Sequence, residues 1–138
     1  MSNHIETVKN MYAAFSRGDA AVILSHMAEN VSWEFEAPAE LTWSGIRRGP
    51  QEAAGFFAGI AQQHANPVLE MTEFIASGDA VAAFGRYQAT DKSSGIRVDT
   101  PVAHYFKFDS AGKVVRYQNF ANSGAFVAAM QAAPAGTH

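Results

Sequence analysis

Hydrophobic and polar positions along this chain run at helical spacing in its first half and mostly at strand spacing in its second. Ile5, Val8, Met11, Tyr12 and Phe15 recur at helical intervals, which predicts an amphipathic helix with Ser2 or Asn3 as N-cap and Arg17-Gly18 as its stop. Asp19 reads as the N-cap of a second helix, whose inner stripe of Val22, Ile23 and Met27, with Leu24 beside it, runs to about residue 28. Val31, Trp33 and Phe35 then alternate with Ser32, Glu34 and Glu36, the signature of a half-buried strand that Pro38 ends. Residues 39–49 read as loop, with Trp43 and Arg47-Arg48 as a candidate flap over the Trp33 face. Gly49-Pro50 opens a third helix, with Ala53, Ala54, Phe57, Ile60 and Ala61 inward, and Asn66-Pro67 stops it.

From there the period falls to two. Residues 68–77, 80–90, 97–108 and 114–121 read as strands separated by Ser77-Gly78-Asp79, Lys92-Ser93-Ser94-Gly95 and Asp109-Ser110-Ala111-Gly112, all strong turn signals. Short turns between successive strands predict an antiparallel meander, and a last helical turn over residues 125–130 closes one end. Helices first and strands afterwards argue an α+β fold, with the helices on one face of the sheet.

Composition narrows the partners. The 138 residues, 48% of them apolar, are the size of one domain able to bury a core, so 1–138 is expected to be a single domain with its ordered part over about 3–130. A net charge of −3 with no basic stripe argues against nucleic acid as a partner. The absence of cysteine removes disulfides and thiolate chemistry and fits a reducing compartment. With no signal-peptide pattern and no long apolar run, a soluble cytoplasmic protein is expected, with no membrane partner and a frayed tail over 131–138.

Candidate chemistry centres on one residue. In the stretch Pro-Val-Ala-His-Tyr-Phe-Lys-Phe of residues 101–108, His104 shares a strand face with Val102, Phe106 and Phe108. An imidazole there is either a hydrogen-bonded core residue or a functional group, and it is the inner group best suited to proton transfer near neutrality. Parity places Tyr12, Phe15, Trp33, Phe35, Phe57, Phe74, Phe84, Arg86, Gln88, Phe106, Tyr117 and Asn119 on inner faces with it. Any one phenylalanine is adequately explained as core. Arg86, Gln88, His104 and Asn119 are not, because each buried polar group left unpaired costs ~1–3 kcal/mol; their convergence predicts a pocket for a polar-tipped ligand. Arg86 has a competing structural role, an ion pair with Asp99 or Glu73. The histidines His4, His26, His64, His104 and His138 are too scattered to share a metal ion, and no phosphate-cradling loop or nucleophile elbow occurs, so no metal or cofactor is expected. Glu34 and Glu36 face outward by parity, which leaves no inward carboxylate pair.

Tyr12-Ala-Ala-Phe-Ser-Arg-Gly-Asp19 and the run Gly85-Arg86-Tyr87, Thr90, Ser94-Gly95, Asp99 to His104, Asp109 and Gly112-Lys113-Val114 resemble a SnoaL-like protein of the nuclear transport factor 2 superfamily over residues 5–130. The resemblance implies a cone: a bent sheet around an apolar pocket whose mouth the helices close, often paired as a homodimer through the outer sheet face. It also implies roles. Tyr12 stands where a ketosteroid isomerase has its oxyanion-hole tyrosine, and His104 where that enzyme keeps an aspartic acid neutral in an apolar site so that it can donate a hydrogen bond. Phe35 stands at that enzyme's base. Arg86 matches the arginine of an epoxide hydrolase, but Gln88 and Asn119 replace its aspartates; polyketide cyclases keep an acidic residue on the last strand, where this chain has Asn119, and close relatives an Asp-Thr after it, where this chain has Asn122-Ser123. Amides cannot take a proton as a base does.

The expectation is therefore a pocket for a small apolar carbonyl or hydroxyl compound, with His104 as acid/base, Tyr12 stabilising an oxyanion, and Arg86, Gln88, Asn119, Trp33, Phe35, Phe15, Phe57, Phe106 and Tyr117 binding substrate. The chemistry would be cofactor-free isomerisation, cyclisation or dehydration. An epoxide hydrolase-like enzyme with a degenerate site and a non-catalytic ligand-binding dimer are the alternatives.

Overall fold

The computed structural model describes residues 3–132; Ser2, His138 and the tail over 133–138 lie outside the described residues. Helix α1 (His4–Ser16) starts where Glu6 N–H donates to Asn3 Oδ1 at 3.1 Å, and α2 (Ala20–Ser25) where Val22 N–H donates to Asp19 Oδ1 at 3.3 Å. Gly18, at φ 70°, makes the reversal between them. The second helix is shorter than its apolar spacing suggests. It stops at Ser25 because His26 C=O accepts from Val114 N–H, and the chain passes directly into strand β1 (Met27–Phe35) as a partner in the sheet.

Strand β2 (Gly45–Arg48) pairs antiparallel with Ser32–Phe35, where a loop was expected. Four residues carry too little alternation to announce a strand; backbone pairing with β1 makes it one. The preceding segment packs inward, with Leu41 and Trp43 buried. It is held against α3 (Gly49–Gln63), where a Cβ at Gly59 would lie 3.0 Å from Trp43 Cβ. Trp43 is thus a fixed wall of the interior.

Strands β3 (His64–Ser77), β4 (Ala80–Asp91), β5 (Arg97–Phe108) and β6 (Val114–Ala121) form the expected meander, and α4 (Ser123–Gln131) follows. The sheet of 6 strands has the order β2-β1-β6-β5-β4-β3 and is not closed. It is mixed, since β1 runs parallel to β6 while the other pairings are antiparallel. Strand β3 begins before the expected start, at His64: Asn66, at φ 50°, and Pro67 sit in a register shift between Ala65 and Val68, the setting in which a strand tolerates proline. A second shift lies between Met71 and Glu73, opposite Gly85. There β3 crosses so close that a Cβ on Gly85 would overlap the Glu70 carbonyl oxygen. These bulges bend the sheet around the buried faces of α1 and α3.

One parity prediction is overturned. On β4 the inward residues are Val81, Ala83, Tyr87 and Ala89, whereas Phe84, Arg86 and Gln88 point to the outer face. The pairings Ala83↔His104 and Phe84↔Ala103 fix this, because residues directly opposite share a face. Of these inward residues Val81, Ala83 and Ala89 are aliphatic, and Tyr87 is the aromatic one.

Candidate functional site

Inside the bend lies a cavity of ≈ 50 Å³. Tyr12 and Phe15 reach it from α1, Trp33 and Phe35 from β1, Phe57 from α3, His104 and Phe106 from β5, and Tyr117 and Asn119 from β6. All of these belong to the expected set, and the fold brings them together. Phe74 packs beside Tyr12, with ring centroids 6.1 Å apart, and supports it from the edge of the core. Among the described residues, no aspartate or glutamate lines the cavity.

Arg86 and Gln88 do not belong to the site. Arg86 Nε donates to Asp99 Oδ1 at 2.8 Å and Gln88 Nε2 to Asp99 Oδ2 at 3.3 Å, all on the outer face. The structural ion pair is therefore the role Arg86 plays, and an epoxide hydrolase-type set loses its arginine. Phe84, also expected inside, is 39% exposed. Glu34 faces outward as expected yet is buried, held by Arg116 at 3.0 Å and by Ser32 at 2.7 Å. Arg116, desolvation notwithstanding, keeps the Glu34 carboxyl below its ordinary pKa.

Two polar pairs define the site. Tyr12 Oη and His104 Nδ1 are 2.7 Å apart and share a hydrogen bond. His104 is 3% exposed, and desolvation lowers its pKa from 6.5 to about 3, so the imidazole is neutral at physiological pH. Burial, with the neighbouring Tyr117 hydroxyl, raises the Tyr12 pKa far above its ordinary value. Beside them Asn119, opposite His104 across the β5–β6 ladder, donates from Nδ2 to Tyr117 Oη at 2.9 Å. Asn119 Oδ1 and Trp33 Nε1 are buried without partners. The Trp33 indole stacks on Tyr117 at 3.8 Å and 12°, making a flat apolar wall.

Residues beyond the expected set also shape the cavity: Tyr87, Trp43, Phe56 and Phe126. Tyr87 Oη lies 2.7 Å from His64 Nδ1, a second buried tyrosine–histidine pair. Desolvation lowers the His64 pKa, against the opposing pull of Asp91, and raises that of Tyr87. Correct parity on β4 would have flagged Tyr87. Phe56 carries the same helical signal as Phe57, and both line the cavity from α3.

A neutral imidazole hydrogen-bonded to a phenol, in an apolar cavity, can polarise or accept a hydrogen bond from one oxygen of a flat ligand. Solved structures share the whole architecture. A nuclear transport factor 2-like protein of unknown function from Burkholderia pseudomallei is 25% identical, with a TM-score of 0.88 over 96% of this chain and 100% of its own. TerC, co-crystallised with polyporic acid, is 26% identical, with a TM-score of 0.85 over 95% and 100%. A Catenulispora acidiphila protein with a ketosteroid isomerase-like fold, in complex with trimethylamine, is 16% identical, with a TM-score of 0.78 over 96% and 97%. No curated protein sequence matches this chain. The SnoaL-like domain family model matches residues 8–117, which carry most of α1, the helices α2 and α3 and most of the bent sheet, and the chain belongs to the SnoaL-like family.

Proposed function

We propose that the protein binds a small, flat, mostly apolar carbonyl or hydroxyl compound at Tyr12 and His104 and moves a proton on it without a cofactor, as in isomerisation, cyclisation or dehydration. The observation that carries this reading is the 2.7 Å Tyr12–His104 contact in a cavity free of carboxylates among the described residues. In the tautomer with Nδ1–H donating to Tyr12 Oη, the tyrosine O–H is free to donate to a ligand carbonyl oxygen. The lone pair of His104 Nε2 is then free to take a proton from the adjacent carbon. The resulting imidazolium stands beside the enolate it has made, and their attraction offsets the desolvation that disfavours the charged ring. Nε2 returns the proton at another carbon, or to a departing hydroxyl. Trp33, Tyr117, Phe35, Phe56 and Phe106 hold the ring, and Asn119 fixes Tyr117.

The test is exchange of the methyl protons of acetophenone in heavy water, followed by proton NMR. The wild type is expected to accelerate exchange, and His104→Gln and Tyr12→Phe each to slow it by about ten- to a thousandfold. Saturable binding with no exchange would overturn the catalytic reading. It would leave a non-catalytic ligand carrier, a reading favoured by the missing carboxylate and by the depressed pKa of His104.

The working unit is a homodimer joined through the outer sheet face. In support, Phe84, Ala103 and Phe120 lie side by side across β4, β5 and β6, and Phe120 is 55% exposed. A cytoplasmic site of action is supported by the cysteine-free sequence, and no described helix is long and apolar enough to cross a membrane.

A further inference from the structure

The cavity at His104 adjoins a second hollow of ≈ 330 Å³, lying between the α1–α2 hairpin, α3 and the start of β3. Phe15, Ile23, Phe57 and Ile60 line both spaces and so form the partition between them. Tyr12, Phe15 and Gly18 follow one another at three-residue steps along α1 and its stop, each step about 4.5 Å. The way from the polar pair to the outer hollow therefore runs along that helix for roughly 9 Å. Beyond the partition the floor is Ala54, Ala58 and Ala61, one face of α3, with Ala58 and Ala61 exposed. Methyl side chains there leave a trough.

The inner space alone has room for about four water molecules and is well below the roughly 150 Å³ that takes a benzene ring, so a ring seated there must press into the partition. A larger ligand must extend out of it, and the partition is where the two spaces meet. The alanine face of α3 offers no hydrogen bond to a polar extension and suits a chain of methylenes; the one charged side chain of the lining, Asp19, lies at the α1–α2 turn and caps α2 by accepting from Val22 N–H.

We infer that the outer hollow is a tail subsite: it holds the alkyl chain of a ligand whose oxygen-bearing ring sits at Tyr12 and His104, with Phe15 and Phe57 as the gate the chain passes. This rests on the head-group reading above and names the class of ligand that site takes, an alkyl-substituted phenol or aryl ketone. Specificity for chain length then resides in α3, outside the reacting centre.

Calorimetric titration with 4-ethyl-, 4-butyl- and 4-hexylphenol tests it. Affinity is expected to rise about two- to fourfold per methylene, the gain from burying it in part or in full. Ala58→Trp, which fills the trough from an exposed helix position, is expected to cut the hexyl-to-ethyl affinity ratio at least about tenfold; Ala61→Trp does the same from the next turn. Tyr12→Phe is expected to weaken every member by one common factor. A flat series that Tyr12→Phe still weakens overturns the tail subsite and keeps the head-group reading. A steep series indifferent to Tyr12→Phe overturns the head-group reading, and with it the subsite as stated. A steep series indifferent to both tryptophans places the chain elsewhere and overturns the proposal. A flat series with an altered oligomeric state in Ala58→Trp assigns the hollow to a second copy and overturns it as well.

Discussion

His104 is the residue on which folding and the proposed chemistry make opposite demands. Unfolded, its imidazole titrates at about 6.5; folded, burial holds it neutral to about 3. Between those values the unfolded chain binds the extra proton, so stability must fall as pH drops through this window and is fully present above it. One such group costs about 2 kcal/mol between pH 6.5 and 4.5. Urea unfolding at the two pH values should show a loss of at least that size, because the depressed pKa of His64 acts in the same direction. In His104→Gln the loss should shrink by about 2 kcal/mol; an unchanged loss would mean that the imidazole is not desolvated. Tyr12→Phe, which leaves Nδ1 without its partner, should cost about 1–3 kcal/mol at neutral pH in the same assay. The pairing of Tyr12 with His104 was legible because one helical stripe and one strand parity both pointed inward and the family resemblance joined them. Arg86 was misplaced by that same method. Phe84 and Tyr87 lie on opposite faces of β4, either could be the inner aromatic, and only the register Ala83↔His104 decides. Since Arg86 is tied to Asp99 on the outer face, Arg86→Ala should leave phenol affinity unchanged in calorimetry; a large loss would return it to the site.

At the scale of elements, the cavity depends on curvature, and curvature depends on backbone features that side-chain patterns do not announce. The helices and the meander were readable from period, caps and turns. The bulges in β3 and the strand β2 were not, because a register shift leaves no apolar signature and four residues are too few to alternate. Gly85 is where this matters most. Any side chain there meets the Glu70 carbonyl at the bend, so Gly85→Val should destabilise the protein by at least about 2 kcal/mol and lower its melting temperature. Survival of full stability would show that β3 can move away, and that the bend is not fixed at this crossing. The parallel pairing of β1 with β6 carries Trp33 onto Tyr117. A meander read from the sequence alone has no means of predicting that contact, since it joins the first long strand to the last across the whole chain.

For the whole molecule, the two faces of the sheet divide the work. The inner face, with α1 and α3 over it, encloses the polar pair; the outer face carries the Phe84–Ala103–Phe120 row and the Arg86–Asp99 and Arg116–Glu34 pairs. For the proposed dimer through this row, Phe120→Lys should give a monomer in sedimentation equilibrium without abolishing ligand binding; dimers that persist would place the interface elsewhere. A buried, neutral His104 bonded to Tyr12 is the group proposed to meet the ligand. Nitrogen-15 NMR of the histidine rings, from about pH 7 to pH 5 with and without 4-ethylphenol, tests it most directly. The His104 imidazole should stay neutral throughout, shift when the phenol binds, and disappear from the spectrum in His104→Gln. A His104 signal that titrates near its ordinary value, or that ignores a saturating phenol, would contradict it.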